Sequence, residues 1–343
     1  MRGGRDSFLV LSSESVKKIE VVMQTKSKIF IAGHKGLVGS SLVRNLTANG
    51  YSNLILKGRD ELDLLDREAV SSFFQTEKPE YVFLAAAKVG GIMANSTYPA
   101  DFIYENLILQ TNIIHNAYLS EVKRLLFLGS SCIYPKFSPQ PMDESCLLKG
   151  ELEPTNEPYA IAKIAGMKMC EAYNRQYGTH FLSVMPTNLY GPNDNFDLET
   201  SHVLPALLRR FHEAKIKEHS TVTIWGTGNP RREFLHVDDM AAACIHVMNL
   251  SEEVVEQEFL SPDKPGFVNV GCGADVTIGQ LAEMVSEVVG FEGEIEFDRT
   301  KPDGTPQKLL DISKLRSLGW SPDIPLIAGL ESTYACFLKD YAK

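Results

Sequence analysis

The stretch KIFIAGHKGLVG, residues 28–39, decides the fold. A short β-rich run leads directly into glycines at positions 33, 36 and 39, and an amphipathic helix is predicted from Leu37 to Asn49. Between a strand and a helix, such glycines let the chain turn tightly, let a pyrophosphate approach the backbone and let the helix pack closely on the strand. The free N–H groups at the start of the helix favour an anion. The stretch therefore predicts a dinucleotide-binding βαβ unit.

Predicted strands and helices alternate from this unit to Pro186. They are, in order, the strand NLILK, a helix over LDREAVSSFFQTEK, the apolar run YVFLAAA, a helix near 100–120, the strand LLFLG, a helix near 157–177 and the strand HFLSVM. Continuous apolar strands between helices are typical of a parallel sheet that is covered on both faces. We predict an α/β fold with a doubly wound, Rossmann-like parallel sheet.

The composition is that of a globular protein, with 343 residues, 44% of them hydrophobic, and a formal net charge of −10. This acidity argues against a nucleic acid or a membrane surface as the main partner, and no apolar run is long enough to span a bilayer. The six cysteines form no CxxC pair and no cluster with the eight histidines, so neither a metal site nor a disulfide framework is predicted. Because no signal-peptide core is visible, the expected location is the cytoplasm.

The end of the second predicted strand, Leu56-Lys57-Gly58-Arg59, indicates which dinucleotide binds. NAD-specific sites usually carry an acid there for the ribose 2′-hydroxyl, and this strand ends without one. A 2′-phosphate requires basic partners, which Arg59 and the loop residue Lys35 can supply. NADP(H) is therefore favoured over NAD. The alternative is that Lys57 and Arg59 are solvated surface charges, an interpretation that suits Lys57 better than Arg59. Asp63 falls near the predicted adenine region, where an ordinary surface role explains it almost as well.

Three segments follow from these patterns. Residues 1–27 are predicted to be an N-terminal extension that is either disordered or precedes a translation start at Met23. Residues 28–186 are predicted to be the NADP-binding Rossmann domain. Residues 187–343 have shorter and less regular elements, and they are predicted to form mainly a smaller α/β substrate-binding lobe, with chain crossings that interleave the two parts.

A tyrosine and a lysine four residues apart, in the stretch EPYAIAKIAG, indicate carbonyl chemistry. Tyr159 and Lys163 share one face of a predicted helix, and a nearby ammonium is expected to lower the high pKa of the phenol. Lys163 can also hold the nicotinamide ribose, and Ser130, at the end of the strand LLFLG, can hydrogen-bond a substrate oxygen. Tyr159 could be a mere helix-face aromatic, but beside the glycine loop the pattern predicts a nicotinamide-dependent carbonyl site.

Cys132 narrows this prediction, because simple hydride transfer has no use for a thiol. A buried cysteine is usually only a small apolar side chain, but two residues after Ser130 it could act as an acid–base group. His202 is expected at the mouth of the cleft, although a lone histidine is more often structural. The structural interpretation is given to the histidines at 34, 115 and 246.

Longer motifs resemble the extended short-chain dehydrogenase/reductase family, and within it the members that modify GDP-linked keto sugars. They cover about residues 28–337 and include IFIAGHKGLVG, LAAAKVGGIMANSTYPADFIYEN, LLFLGSSCIYP, LEPTNEPYAIAKIAG, SVMPTNLYGPNDNF, SHVLPALLRRFHEA, REFLHVDDMA and KPDGTPQKLLD. The resemblance implies an NADP-dependent oxidoreductase that is also an epimerase. It implies inversion at C3 and C5 and reduction at C4 of GDP-4-dehydro-6-deoxy-D-mannose.

The resemblance also implies roles for individual residues. Ser130, Tyr159 and Lys163 match the reductase triad, and Cys132 and His202 match the base and acid of the epimerisation. Residues that match the NADP site are Gly33, His34, Lys35, Gly36, Leu37, Val38, Gly39, Arg59, Asp60, Glu61, Leu62, Asp63, Leu64, Leu128, Gly129, Ser130, Ser131, Lys163, Pro186, Thr187, Asn188, Leu189 and His202. Residues that match sugar-nucleotide contacts are Arg210, Trp225, Arg232 and Asp303, with Lys308 as a further candidate.

By this resemblance Trp225 would pack on the guanine or ribose, and Arg210 and Arg232 would hold the diphosphate. Two positions depart from the family pattern. Lys35 stands where bacterial members commonly have arginine; the lysine keeps the positive charge but lacks the two parallel hydrogen bonds that a guanidinium can give a phosphate. Asp63 stands where some members have asparagine.

Two other functions stay open at this point. A sugar-nucleotide 4,6-dehydratase or 4-epimerase has the same fold, but typically carries an acidic residue or threonine where Ser131 and Cys132 stand. A non-catalytic NADP-sensing protein would keep the glycine loop and could lose Tyr159 and Lys163, which are both present. The Ser131-Cys132 pair therefore favours the epimerase–reductase.

The two long predicted helices also predict a homodimer. Both carry apolar residues at helical spacing, and covering a sheet takes only one side of each helix. The alternative is that all of these residues face the sheet. The residues proposed for the contact are Phe102, Leu109, Ile113, Ile161, Ala165 and Met169.

Overall fold

A computed structural model describes residues 23–340. Most of the predicted extension, residues 1–22, lies outside the described residues. Residues 23–27 belong to the folded part, because the Met23 side chain is fully buried and its N–H donates to Asn249 Oδ1 at 3.0 Å.

The elements follow the predicted alternation of strands and helices. The strands are β1 (Ile29–Ala32), β2 (Leu54–Ile55), β3 (Tyr81–Leu84), β4 (Arg124–Leu128), β5 (Phe181–Pro186), β6 (Asn188–Tyr190), β7 (Thr221–Trp225), β8 (Arg231–His236), β9 (Phe267–Val270), β10 (Asp275–Thr277), β11 (Glu294–Asp298) and β12 (Gln307–Lys308). The helices are α1 (Leu37–Ala48), α2 (Arg67–Glu77), α3 (Ile92–Thr97), α4 (Pro99–Leu119), α5 (Glu157–Tyr177), α6 (Val203–Ile216), α7 (Val237–Met248), α8 (Glu252–Val255), α9 (Ile278–Val289), α10 (Ser313–Ser317) and α11 (Leu326–Asp340).

The main sheet is parallel throughout and has the order β2-β1-β3-β4-β5-β9. The chain first moves outward from β1 to β2 and then returns to place β3 on the other side of β1. In a doubly wound sheet, a crevice opens at the carboxyl ends of the strands where the order reverses, and ligands bind there. The predicted fold class is confirmed, and the crevice lies next to the loops after β1 and β3.

Each face of this sheet has its own core because successive strand residues point to opposite sides. Phe30 packs with Phe74 and Ile113 in the core under α2, α4 and α5. Its neighbour Ile31 packs with Leu42 in the core under α1 and α7. All five side chains are 1% exposed or less, and burying a side chain of this size contributes about 1.5–3 kcal/mol.

A smaller lobe contains the remaining strands. Strand β8 pairs with β6, β10 and β12, and β7 pairs with β11. Helices α6, α9 and α11 supply a third core, which includes Leu208, Phe211 and Val285. Strand β9 and helix α7, although they come from the C-terminal half of the chain, complete the main sheet and one of its covering layers. The domain boundaries themselves stay a prediction.

Helices α4 and α5 pack against each other, and this packing corrects part of the proposed dimer contact. Phe102, Leu109 and Ile113 are at most 8% exposed, because the sheet-facing side of α4 uses them. Ala165 and Met169 are half-buried. Ile161 alone of the six is exposed, and the other exposed large apolar residues of the two helices are Tyr104, Leu119 and Tyr177.

Candidate active site

The glycine loop after β1 has the close backbone approaches that its spacing predicts. Gly33 has φ +84°, and a Cβ on it would lie 2.8 Å from the backbone of Ala86. A Cβ on Gly39 would overlap the carbonyl group of Gly33. Gly36 precedes α1, and its N–H donates to the Gly33 carbonyl at 2.9 Å. The loop and the first turn of α1 therefore form a cradle of backbone atoms, which fits the pyrophosphate of a dinucleotide.

Three basic side chains lie near the end of β2. The ammonium nitrogen of Lys35 lies 3.0 Å from the position of a Cβ on Gly58, so Lys35 reaches this end of the sheet from the glycine loop. The side chain of Arg59 is 75% exposed, and its Nε lies 4.0 Å from Asp63 Oδ2. Lys57 instead pairs with Glu61 at 3.4 Å. Lys35 and Arg59 are thus exposed and accessible to a 2′-phosphate, whereas the Lys57 side chain is only 34% exposed and lies closer to its acidic partner.

The other predicted cofactor segments lie at the same edge of the sheet. Residues 59–64 follow β2, residues 128–131 lie at the end of β4, and residues 186–189 join β5 to β6. Since all these strands are parallel, their carboxyl ends meet at one edge. In the last segment, the Asn188 side chain donates to the Glu233 carbonyl at 2.8 Å. The structure therefore brings together four segments that are far apart in the sequence.

Lys163 is deeply buried on α5, at 3% exposure. Its Nζ donates to the Leu128 carbonyl at 2.8 Å, and it lies 5.0 Å from the ring centroid of Phe127 and 5.8 Å from that of Tyr159. Burial lowers the pKa of Lys163 to about 8, although Cys132 acts in the opposite direction. Helix α5 is therefore fixed to the end of β4 through its lysine.

Tyr159 differs from the prediction in its electrostatics. Burial raises the pKa of its phenol well above the ordinary value, Cys132 raises it further, and a hydrogen bond with Ser130 opposes both. The expected lowering by Lys163 is not found, and burial decides the direction of the shift in the pKa of Tyr159. In this state Tyr159 holds its proton at neutral pH, which suits a proton donor.

Cys132 lies in the short 3₁₀ turn Ser131–Ile133, whose first residue is preceded by Ser130. Its side chain is 7% exposed, and its N–H donates to Ser130 Oγ at 3.4 Å. Burial raises the pKa of the thiol, while a hydrogen bond with Ser130 and the ammonium groups of Lys308 and Lys163 lower it. The thiol is thus close to all three residues of the predicted triad and also to a second lysine.

Lys308 reaches this position through the smaller lobe. It pairs with Arg232 in the β12–β8 ladder, and the next residue is fixed to the loop beyond Cys132. There the Met142 N–H donates to the Leu309 carbonyl at 2.8 Å. Lys308 was predicted only as a sugar-nucleotide contact, and its position facing the thiol was missed. No local pattern could have revealed this, since the two residues meet only through the tertiary fold.

His202 immediately precedes α6, in a loop separate from the triad. Its surface is exposed, but the protein around the cleft disfavours the charged imidazolium and lowers its pKa. The start of a helix acts in the same direction, because its partial charge is positive. Within residues 23–340, no hydrogen bond joins His202 to Tyr159 or Cys132. The structure therefore holds the two predicted epimerisation groups on different loops.

Trp225 ends β7 and is 59% exposed. Two cations lie near its ring: the Arg210 Cζ atom is 5.9 Å and the Lys301 Nζ atom 5.5 Å from the centroid. Lys301 was not among the predicted site residues, although it opens the motif KPDGTPQKLLD. An exposed indole beside two cations can accept a flat base together with a phosphate.

Arg232 and Asp303 are more constrained than predicted. Arg232 Nη1 donates to the carbonyls of Arg231 and Thr305, at 2.7 and 2.6 Å. Asp303 accepts from the backbone N–H of Thr227 at 2.8 Å and from its hydroxyl at 2.7 Å. Both carboxylate oxygens of Asp303 thus hold the loop that follows Trp225, so Asp303 acts on this site at least partly through that loop.

The histidines with a structural interpretation have protein partners. His115 Nδ1 lies 2.8 Å from the Tyr173 hydroxyl, and His246 Nε2 lies 2.8 Å from the Leu318 carbonyl. The part of the chain described here contains no cluster of histidine, cysteine and carboxylate groups that could hold a metal ion. Across residues 23–340, no helix is long and apolar enough to cross a membrane.

Comparison with known proteins gives the same fold and a family. Residues 29–271 match the NAD dependent epimerase/dehydratase family. The chain is 59% identical over 318 residues to the GDP-L-fucose synthase of Escherichia coli strain K12, covering 92% of this chain and 98% of that protein.

Two solved structures extend this comparison. A GDP-6-OMe-4-keto-L-xylo-heptose reductase from C. jejuni is 44% identical, with a TM-score of 0.87 and coverage of 92% of this chain and 99% of the other. A GDP-L-fucose synthetase from Naegleria fowleri bound to NADP is 26% identical, with a TM-score of 0.83 and coverage of 94% and 98%.

Proposed function

The chain belongs to the NAD dependent epimerase/dehydratase family, and from that premise we propose that it converts GDP-4-dehydro-6-deoxy-D-mannose into GDP-L-fucose with NADPH. The observation that carries this proposal is the Cys132 thiol, which interacts with Ser130, Tyr159 and Lys163 in one buried cluster. A carbonyl reductase needs only the triad, whereas an enzyme that also inverts carbon centres needs a further acid–base group. The proposed reaction requires both.

The cofactor site has the features that NADP(H) requires. The backbone cradle of Gly33, Gly36 and Gly39 would hold the pyrophosphate, and Lys35 and Arg59 would hold the 2′-phosphate. Lys163 would hold the nicotinamide ribose. When bound, NADPH supplies the hydride that reduces C4.

Epimerisation is the proposed task of Cys132 and His202. The 4-keto group acidifies the protons on C3 and C5, so a base can remove each one and an acid can return one to the opposite face. Burial raises the pKa of the Cys132 thiol, and Lys308 and Lys163 partly offset this rise; the thiolate that forms is the basic form of the side chain. His202 lies on another loop, which is what inversion requires, since a single group would return the proton to the same face. Its lowered pKa makes the imidazolium a stronger acid, and the anionic substrate would favour that charged form.

Ser130 and Tyr159 would bind the C4 oxygen in both half-reactions. During epimerisation, hydrogen bonds from these hydroxyls stabilise the negative charge on the enolate oxygen. During reduction, Tyr159 donates its proton to the same oxygen. Because burial keeps the phenol protonated, Tyr159 begins each cycle as a proton donor, and the Lys163 ammonium would stabilise the phenolate that remains.

The GDP moiety is assigned to the smaller lobe. The exposed face of Trp225 would stack on guanine or ribose, and Arg210 beside it would bind the diphosphate. Lys301 joins this proposed subsite because it lies over the same ring. Arg232 would contribute positive charge to the diphosphate site. Its Nη1 is already bonded to two backbone carbonyls, so this nitrogen is not available for a direct phosphate contact.

We also propose a homodimer and a cytoplasmic location. The dimer contact would use the exposed apolar residues of α4 and α5, which include Tyr104, Leu119, Ile161 and Tyr177. An exposed apolar surface of this kind favours contact with another protein surface. Light scattering on the unmodified protein and on Ile161→Glu tests the dimer: a monomer at micromolar concentration for the unmodified protein would remove it.

The reaction is tested directly by incubating the protein with GDP-4-dehydro-6-deoxy-D-mannose and NADPH. The expected product is GDP-L-fucose, identified by NMR, with one NADPH oxidised per product. A sample without NADPH controls for epimerisation alone, and GDP-mannose as substrate controls for dehydratase activity. An unepimerised GDP-6-deoxyhexose, or turnover of GDP-mannose, would replace the proposal with a simple 4-reductase or a dehydratase.

A further inference from the structure

The position of His202 depends on a contact between the two halves of the chain. The N–H of Gly91, in the loop between β3 and α3, donates to the Thr200 carbonyl at 2.9 Å. Thr200 and Ser201 come just before His202, and the His202 carbonyl in turn accepts the N–H of Ala206 in α6 at 3.1 Å. The segment that carries His202 is therefore bonded on one side to Gly91, in the loop after β3, and on the other side to α6 of the smaller lobe.

The turn that meets Gly91 is itself well defined. Asp197 Oδ1 accepts the Thr200 N–H at 3.0 Å and the Thr200 hydroxyl at 2.9 Å. The Asp197 carbonyl accepts the N–H of Ser201 at 2.9 Å. Because these bonds fix the backbone of Thr200 and Ser201, the two residues just before His202, a displacement of the turn would carry the histidine with it.

Only glycine fits at position 91 in this arrangement. A Cβ there would lie 2.7 Å from the Ser201 carbonyl oxygen and 3.4 Å from that of Thr200. The first distance is shorter than a van der Waals contact, and both atoms belong to backbone, so a side chain could be accommodated only by moving the turn. The backbone of Gly91 has φ −65°, so the requirement for glycine comes from this close approach and not from backbone conformation.

We propose that Gly91 is a positioning residue for His202, which sets where the imidazole lies across the cleft from Cys132. This inference rests on the proposed function, because it takes His202 as the group that completes the epimerisation. A misplacement of about 1 Å can reduce the rate of a reaction by about 100-fold. The triad would be unaffected, since Ser130 lies in the loop after β4 and Tyr159 and Lys163 lie on α5. A substitution at Gly91 should therefore slow epimerisation and leave hydride transfer nearly unchanged.

The test compares the half-reactions in Gly91→Ala at saturating NADP⁺. Epimerisation is measured by NMR as deuterium uptake from D₂O with inversion at C3 and C5 of the keto sugar, because uptake without inversion needs only the base. Hydride transfer is measured as single-turnover transfer of deuteride from C4-deuterated GDP-L-fucose to NADP⁺, by mass spectrometry. We expect exchange to fall about 100-fold, while deuteride transfer stays within about 3-fold. A fall of the same factor in both half-reactions, or no fall in exchange, would overturn the proposal.

A double variant tests whether Gly91 acts through His202. Residues that act through a shared group show non-additive effects, so Gly91→Ala combined with His202→Gln should exchange no more slowly than His202→Gln alone. Additive losses would show that Gly91 acts by another route. Unmodified protein without exchange or hydride transfer would instead contradict the proposed function, which keeps the two failures distinct.

Two further variants guard against a loss of folding. Asp197→Ala loosens the same turn from its other side, and it should show the same separation of half-reactions if Gly91→Ala does not fold. Gly266→Ala is a control for a close approach elsewhere, because its Cβ would lie 3.0 Å from Glu171 Cγ and 3.1 Å from the Phe259 carbonyl oxygen. It should lower neither half-reaction, and selective loss of exchange in this control would also count against the proposal.

Discussion

The cluster around Tyr159 and the surface around Trp225 have opposite characters. Lys163 and Cys132 are 3% and 7% exposed and interact with each other, whereas Trp225 is 59% exposed. The first region lies within the main sheet and its helix α5, and the second belongs to the smaller lobe. The difference indicates that the fold alone holds the proposed proton-transfer groups in place, whereas the indole of Trp225 is left accessible to a ligand.

Substitutions in the buried cluster should therefore affect rates, and substitutions on the open surface should affect binding. The largest effect is expected for Tyr159→Phe, which removes the proton donor for reduction. Loss of a positioned acid costs about 10²–10⁴-fold in rate, measured as NADPH oxidation with the keto sugar. Binding of NADPH, followed by fluorescence titration, should be nearly unchanged. Unaltered turnover would exclude Tyr159 from the reaction.

The next largest effect is expected for Cys132→Ser, which separates the two chemistries. Serine is a far weaker base than a thiolate near neutral pH, so deuterium uptake at C3 and C5 should fall about 100-fold or more. Ser130, Tyr159 and Lys163 remain in place, so slow reduction of the unepimerised sugar to another GDP-6-deoxyhexose is expected. NMR in D₂O reports both results on one sample. Exchange at the unmodified rate would show that Cys132 is not the base and is only a small buried side chain.

On the open surface, Arg59→Ala should weaken NADPH binding by roughly 10-fold and leave NADH binding unchanged. A charge-assisted hydrogen bond contributes about 1.5–3 kcal/mol, and Arg59 is accessible to a 2′-phosphate. The matched control is Lys57→Ala, which should change neither affinity because Lys57 already pairs with Glu61. Titration with both nucleotides measures the preference. Equal affinities in the unmodified protein would contradict the assignment of the 2′-phosphate site.

Lys308→Gln tests whether the buried cluster depends on a residue from the other lobe. The ammonium lowers the pKa of the Cys132 thiol, so its removal should raise that pKa and move the pH profile of deuterium exchange upward. At a pH below the thiol pKa, the thiolate fraction falls about tenfold when the pKa rises by about one. Alkylation of Cys132 at several pH values, followed by peptide mass spectrometry, measures the same change without substrate. Lys301→Gln, beside Trp225, is the control that should leave the alkylation profile unmoved.

The smallest effect is expected for Trp225→Ala. Stacking of a base on an aromatic ring contributes about 1–3 kcal/mol, so KM for the sugar nucleotide should rise by about 10-fold with kcat nearly constant. Steady-state kinetics separate the two constants. A fall in kcat without a change in KM would place Trp225 with the buried cluster and remove the contrast between the regions.

Sequence patterns predicted the fold class and the buried cluster because both depend on local spacing. The glycine loop follows directly after a strand, and Tyr159 and Lys163 share a helix turn, so each can be seen within a few residues. Short elements such as β6, β10 and β12 were missed, since two or three residues show no periodicity. The electrostatic interaction of Lys308 with Cys132 was missed for the same reason, because Lys308 lies in the two-residue strand β12.

The helix α4 shows a different limit. Its apolar spacing was correct, but a periodic pattern does not say which of two apolar faces meets the sheet. Phe102, Leu109 and Ile113 turned inward. Likewise, Gly91 could be predicted as a turn residue from the sequence GGI, but not as the partner of Thr200, which lies more than 100 residues later in the loop between β6 and α6.

Strand β9 also has a consequence for synthesis of the chain on the ribosome. It pairs with β5 at the edge of the main sheet, yet it begins about 80 residues after β5 ends. At roughly 5–20 residues per second, the six residues of β5, all buried in the final fold, would wait about 4–16 s for that neighbour. During this time an apolar strand edge is open to pairing with other chains. The strand order that unites the two lobes in the finished protein thus creates an interval in which a nascent chain depends on protection from aggregation.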